Sequence, residues 1–128
     1  MDTTKILVVF LGGGLGSSLR LFISFFIAKY FPGQFPLGTL AANFLGCFTI
    51  GILMAIFTYK IDNLELKLFF TSGMMGGLTT FSTFSFETIT LLKDENYLKA
   101  VINISASLFG CLLLTFLGYK MSLSILTR

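Results

Sequence analysis

With 128 residues and a net charge of +3 the chain has room for one domain at most, and 55% of it is hydrophobic against 12% charged. A soluble fold of this size could not hide so much apolar surface, sixteen phenylalanines included, so an integral membrane protein is expected. Histidine is absent, which removes the usual proton shuttle and the commonest metal ligand, and the basic residues are too dispersed for a nucleic-acid footprint.

The N-terminal MDTTK leads into an apolar run with no small-residue cleavage site at the expected distance, and reads as a retained first helix rather than a signal peptide. Segment one is predicted from about Ile6 to Tyr30. Its GGGLG at 12–16 puts Gly12 and Gly16 four apart, a spacing that lets helix backbones approach closely. No strand precedes it, so it is not a dinucleotide-binding turn. Arg20 is the one charge in the interior of this apolar run, with Lys29 at its end. A mid-bilayer charge costs roughly 2.5–3.5 kcal/mol on insertion scales, so Arg20 either snorkels towards the Lys29 end or lines an anion entry vestibule.

The turn FPGQFP, with Pro32, Gly33 and Pro36 as breakers, closes the first hairpin. Segment two follows from about Leu37 to Tyr59, with Thr39, Asn43, Gly46 and Cys47 on one stripe. An asparagine in the middle of such a helix must find a partner, across a helix interface or in a hydrated path. Lys60–Lys67 is the most polar part of the chain and reads as an aqueous loop. Segment three, about Leu68 to Leu92, and segment four, about Leu98 to Tyr119, complete four spans of roughly twenty or more residues each. Segment four carries Asn103, Ser107 and Cys111 at four-residue spacing. Cys47 and Cys111 both fall mid-span and read as small buried residues.

All four tyrosines (Tyr30, Tyr59, Tyr97, Tyr119) sit at predicted segment ends, where an aromatic belt would place them. An even number of spans puts Lys5, Lys60, Lys67, Lys120 and Arg128 on one side against Lys29, Lys93 and Lys99 on the other. That is a weak orientation bias, open to an ordinary N-in topology and equally to insertion both ways in antiparallel dimers.

The chain is organised around Gly73–Glu87, GMMGGLTTFSTFSFE. Three glycines (Gly73, Gly76, Gly77) precede four hydroxyls (Thr79, Thr80, Ser82, Thr83) threaded between Phe81, Phe84 and Phe86. Glycine weakens a helix and hydroxyls bond backbone carbonyls, so the third span is expected to break mid-membrane, with unwound backbone between Gly76 and Thr79. Irregular backbone at that depth must be buried or line a polar cavity, and free carbonyls there suit a hard monovalent cation. Phe81 and Phe84 share a helix face, and their ring edges carry partial positive charge. Hydroxyls, the Asn43 amide, Arg20 and ring edges together suit a small hydrated anion. Glu87 lies four residues after Thr83, so a hydroxyl–carboxylate contact is expected. No nucleophile has a candidate base beside it, so the chain does not read as an enzyme.

Three blocks carry a family resemblance: GGGLGSSLR at 12–20, GTLAANFLGCF at 38–48 and GGLTTFSTFSFE at 76–87. They resemble the signature blocks of the Fluc (CrcB) fluoride channels, the third very specifically, and length and span number are similar too. The resemblance implies a dual-topology antiparallel homodimer in the inner (cytoplasmic) membrane, with two fluoride pores and a central structural sodium ion. It implies that Gly76 and Thr79 give backbone carbonyls to that ion, that Asn43 is the pore amide, and that Phe81 and Phe84 are the aromatic pair contacting fluoride. It also puts Arg20 at the vestibule, Ser82, Thr83 and Glu87 nearby on the third helix, and Ser107 on the polar track of the fourth. The chain departs from the pattern in carrying Asn103 where some relatives have tyrosine, Cys111 where serine can occur, and Ser17 where alanine is frequent.

Two other readings compete with a passive, fluoride-selective channel that lowers cytoplasmic fluoride. A small proton-coupled multidrug exporter shares length and span number, but is expected to carry an acid in its first helix, where this chain has Arg20. A non-transporting membrane assembly protein would use the polar stripes as interhelical glue.

Overall fold

In a computed structural model, residues 2–127 are described; Arg128, counted above in the charge balance, lies outside them. The described chain is helical and contains no strand. Helix α1 spans Thr3–Tyr30, beginning before Ile6 because the Asp2 carboxylate accepts from the Thr4 N–H at 3.2 Å and caps it. Helix α2 spans Leu37–Tyr59, as expected from its flanking turn residues.

The third segment differs from its expected form at both ends. Asn63 Oδ1 accepts from the Leu66 N–H at 2.8 Å, so helix α3 starts at Leu64 and takes in half of the stretch assigned to a loop. It runs over 64–78, with a wide π-helical turn at Phe69–Met75. Thr79 (φ −84°, ψ 153°) and Thr80 (φ −150°, ψ 119°) are then extended, and helix α4 resumes at Phe81–Lys93. The unwound residues are therefore Thr79 and Thr80; Gly76–Leu78 is helical.

The last helix, α5, spans Tyr97–Leu126, seven residues past the expected end at Tyr119, with a second π-helical turn at Ala106–Gly110. Tyr119 is thus not at a helix end, but its hydroxyl lies 3.5 Å from that of Tyr59, level with the end of α2. Between α4 and α5, Glu95 takes a left-handed φ of 59°. The Asn96 N–H reaches back to the Leu91 carbonyl and the Glu95 N–H to that of Leu92, a Schellman closure with glutamate where glycine is usual.

Among the described residues, three helices (α1, α2 and α5) are long and apolar enough to cross a membrane. This is a multi-pass membrane protein. Its packing agrees: large apolar side chains point outward while the buried apolar set is small, with Ala42, Met75 and Leu78 forming a cluster backed by Leu19, Ile23, Ile50 and Leu53. Close backbone contact does the work that large side chains do in a soluble core. On α1, a Cβ at Gly12 would run into the Phe69 carbonyl and one at Gly16 into the Met74 carbonyl, while Gly77 lies against the Gly13 carbonyl. The four-residue glycine spacing thus seats α1 on α3. At one end of the molecule, Gln34 Oε1 accepts from Lys99 Nζ at 2.9 Å and Asn96 Nδ2 at 3.4 Å, tying the first hairpin turn to the α4–α5 turn.

Candidate functional site

The extended pair Thr79–Thr80 leaves backbone groups that a continuous helix would have satisfied. Asn43 from α2 takes up both of those on Thr80. Its Oδ1 accepts from the Thr80 N–H at 2.8 Å and its Nδ2 donates to the Thr80 carbonyl at 3.2 Å, a buried two-point clamp. Thr80 in turn caps α4, its Oγ1 accepting from the Thr83 N–H at 3.1 Å. The same hydroxyl is 3.0 Å from Thr83 Oγ1, to which it donates, and 3.1 Å from Ser82 Oγ. One asparagine and one threonine thereby hold the interruption open.

Starting α4 at Phe81 sets the direction of the aromatic pair. Phe81 and Phe84 stand 5.3 Å apart between ring centroids, tilted by 48°, with Phe81 79% exposed. Both rings face a cavity of about 420 Å³ whose wall includes Asn43, Thr79, Thr80 and Ser107. Ser107, only 9% exposed, has a buried hydroxyl with no hydrogen-bond partner among the described residues. A cavity lined by two phenyl rings, with an amide and hydroxyls in its wall, can exchange an anion's water for hydrogen-bond donors.

Thr39 and Glu87 belong to a separate recess of about 280 Å³ under the first hairpin turn. Here the expected Thr83–Glu87 contact is replaced. Thr39 Oγ1 donates to Glu87 Oε1 at 2.7 Å, because Thr83 is already committed to Thr80 and α2 presents Thr39 to the carboxylate. The other carboxylate oxygen, Oε2, is buried without a partner among the described residues. Asn103 lies outside both cavities, buried, with its Nδ2 donating to Thr88 Oγ1 at 3.0 Å. Arg20 is half-buried on α1 and lines neither cavity.

The site residues therefore fall into three groups. Asn43, Phe81, Phe84 and Ser107 meet at one cavity, Ser82 and Thr83 gather around the Thr80 hydroxyl, and Thr39 pairs with Glu87. Thr80 was named among the four hydroxyls of its stretch but given no role of its own, and Thr88 was not named. The signal for Thr80 was present, since a threonine directly before a helix start and three residues before Thr83 is an N-cap pattern. Thr88 carried no signal of its own, because its partner Asn103 lies on another helix.

Gly76 and Thr79 are the residues suggested for holding a cation. In a continuous helix the Thr80 N–H would point at the Gly76 carbonyl and the Thr83 N–H at that of Thr79. Here the first is given to Asn43 and the second to the Thr80 hydroxyl. Both carbonyls are thus relieved of their helical donors, and an oxygen donor set of this kind fits a hard cation.

Residues 7–119 match the family described as CrcB-like protein, Camphor Resistance (CrcB). A relative from Campylobacter fetus subsp. fetus is 44% identical over 120 residues, covering 93% of this chain and 94% of its own. One from Clostridium perfringens is 49% identical over 120 residues, covering 91% of each. A third, from Shewanella putrefaciens, is 40% identical over 121 residues, covering 94% of this chain and 98% of its own. All three bear the name fluoride-specific ion channel FluC. With the match running through all the helices and the Thr79–Thr80 interruption, the chain belongs to the CrcB-like family of membrane proteins.

Proposed function

We propose that this chain is the subunit of a fluoride-selective channel, a non-enzymatic protein through which fluoride leaves the cell passively across the cytoplasmic membrane. The observation that carries this reading is the cavity at the Thr79–Thr80 interruption, where Asn43, Phe81, Phe84 and Ser107 converge. Relatives 40–49% identical that are named as fluoride channels support it.

Fluoride is small and strongly hydrated, so a path must replace its water with several donors at once. The Ser107 hydroxyl has a proton free to donate, and the Phe81 and Phe84 rims offer positive edges. Asn43 acts mainly by positioning, because its carboxamide is occupied by Thr80 and fixes where α4 begins. The third segment would then be a span broken mid-membrane, completing four crossings.

The functional unit in this reading is an antiparallel, dual-topology homodimer. Two interrupted segments facing each other across a two-fold axis would offer four carbonyls, from Gly76 and Thr79 of each chain, to a structural sodium ion. Bound there, the ion would offset the carbonyl dipoles and fasten the two subunits together. The Thr39–Glu87 pair and Arg20 would shape the aqueous approaches, with Ser82 and Thr83 supporting the start of α4 and Asn103 that of the fourth-helix track.

Ion efflux from liposomes loaded with fluoride or with chloride tests the reading. Rapid electrogenic fluoride efflux with chloride retained is expected. Phe81→Ala should abolish the flux with little loss of stability, since its ring is largely exposed within the chain. Folded, dimeric protein that passes no fluoride would refute it.

A further inference from the structure

Cys47 on α2 and Cys111 on α5 are both free thiols, and the pathway above gives neither a task. They lie on the facing helices α2 and α5 and line the same two cavities. Backbone-level fastenings hold the helices together here. Thr115 Oγ1 donates to the Cys47 carbonyl at 3.0 Å, Gly51 lies against the Thr115 carbonyl, and Gly118 lies against that of Phe48.

The thiols occupy a particular place. On one side is the cavity of about 420 Å³ that holds the phenylalanine pair. On the other is a second cavity of about 390 Å³, leading past Thr115 to Tyr119. Cys47, Cys111 and Leu112 belong to the walls of both, so these three residues mark the neck between them. One turn before Cys111, the unpartnered and nine-tenths buried Ser107 hydroxyl belongs to the cavity that holds the phenylalanine pair.

The donor chemistry selects the ligand. Sulfur is a soft donor that binds thiophilic cations, and it does so as thiolate, after losing its proton. Net charge is costly in such an apolar surrounding. A divalent ion held by two thiolates is neutral, whereas a monovalent one would leave a buried negative charge. We propose that Cys47 and Cys111 form a binding site for a divalent thiophilic cation of the Hg²⁺ class, and that its occupation closes the neck between the two cavities. Two S–H bonds break, two sulfur–metal bonds form, two protons pass to water, and no oxidation state changes. The Ser107 oxygen supplies a lone pair as a weaker third donor. The site stands on the shared placement of the two cysteines alone, while the closing of the neck rests on the fluoride pathway proposed above.

The test uses the full-length chain with mercuric chloride as probe, and reads binding and flux separately. Intact-mass spectrometry should find one Hg²⁺ per chain, with both thiols lost to maleimide labelling. Resistance of the bound ion to a competing monothiol should fall roughly 100-fold or more in Cys47→Ala and in Cys111→Ser, because a tethered second ligand acts at high effective concentration. Two ions per chain, or equal retention in the single variants, would overturn the site. In liposomes the ion should arrest fluoride efflux by the unaltered chain, with release by excess dithiothreitol, and each cysteine variant, compared with its own rate before addition, should escape the arrest. Full occupancy with unslowed efflux would overturn the neck. If no fluoride efflux occurs at all, the fluoride reading has failed and the mass measurement still decides the site. Should Cys111→Ser fail to fold, Cys47→Ala and Cys47→Ser carry the comparison.

Discussion

Replacing Asn43 by alanine is the sharpest perturbation of the interruption. The carboxamide makes two buried bonds to one residue, accepting from the Thr80 N–H at 2.8 Å and donating to the Thr80 carbonyl at 3.2 Å. Truncation strands both backbone groups, and each buried, unpaired group costs about 1–3 kcal/mol, so about 2–6 kcal/mol is at stake. The cost falls towards the upper end where no water can replace the amide. Asn43→Asp keeps the acceptor for the Thr80 N–H but sets an oxygen against the Thr80 carbonyl, so it should lose the weaker bond and retain the stronger. Thermal unfolding of the purified protein would order the stabilities as Asn43, then Asp, then Ala. Hydrogen exchange at the Thr80 amide should lose protection in Asn43→Ala while the centre of α2 keeps it. An Asn43→Ala protein that unfolds within about 0.5 kcal/mol of the parent, with Thr80 still protected, would refute the clamp.

Three further outcomes follow from the packing and the turn. Gly16→Ala places a methyl against the Met74 carbonyl, a backbone neighbour that cannot step aside, and should cost roughly 1–3 kcal/mol in thermal unfolding; Gly14→Ala, with nothing within 4 Å, should be neutral or stabilising by up to about 1 kcal/mol. Glu95→Gly removes a side chain from a left-handed φ of 59° and should raise stability by roughly 1 kcal/mol in the same assay. If a sodium ion links two chains through Gly76 and Thr79, replacing sodium by a bulky organic cation should lower the dimer's unfolding temperature, and an unchanged temperature would refute that linkage.

The helices were legible in the sequence wherever a single rule decided them. Apolar runs of spanning length between FPGQFP and polar turns placed α2 to the residue, and the Gly12–Gly16 spacing announced a close helix contact whose partner proved to be α3. What stayed illegible depended on two elements at once. The glycines at 76–77 drew the break towards themselves, yet the backbone turns extended only at Thr79–Thr80, because that is where Asn43 reaches it. Glu87 looked like a partner for Thr83 by helix spacing alone, until the capping role of Thr80 claimed Thr83 and α2 supplied Thr39. The extension of α3 back to Leu64 was foreshadowed by Asn63, a good N-cap residue inside a stretch whose polarity suggested loop.

The wide turn at Ala106–Gly110 sets the rotational phase of everything after it. In an unbroken α-helix each residue advances by about 100°, so Asn103 and Cys111, eight positions apart, would be about 80° out of line. A π turn absorbs about one extra residue without extra rotation, which brings the two nearly back onto one line. Straightening this turn into ordinary winding at unchanged length would rotate the last sixteen-residue stretch, Cys111–Leu126, by about 100°. Gly118 would then leave the Phe48 carbonyl, and Cys111 would leave Cys47. The turn should therefore accept the loss of its one extra residue more readily than substitutions that straighten it at full length, since its contribution to the protein is a count.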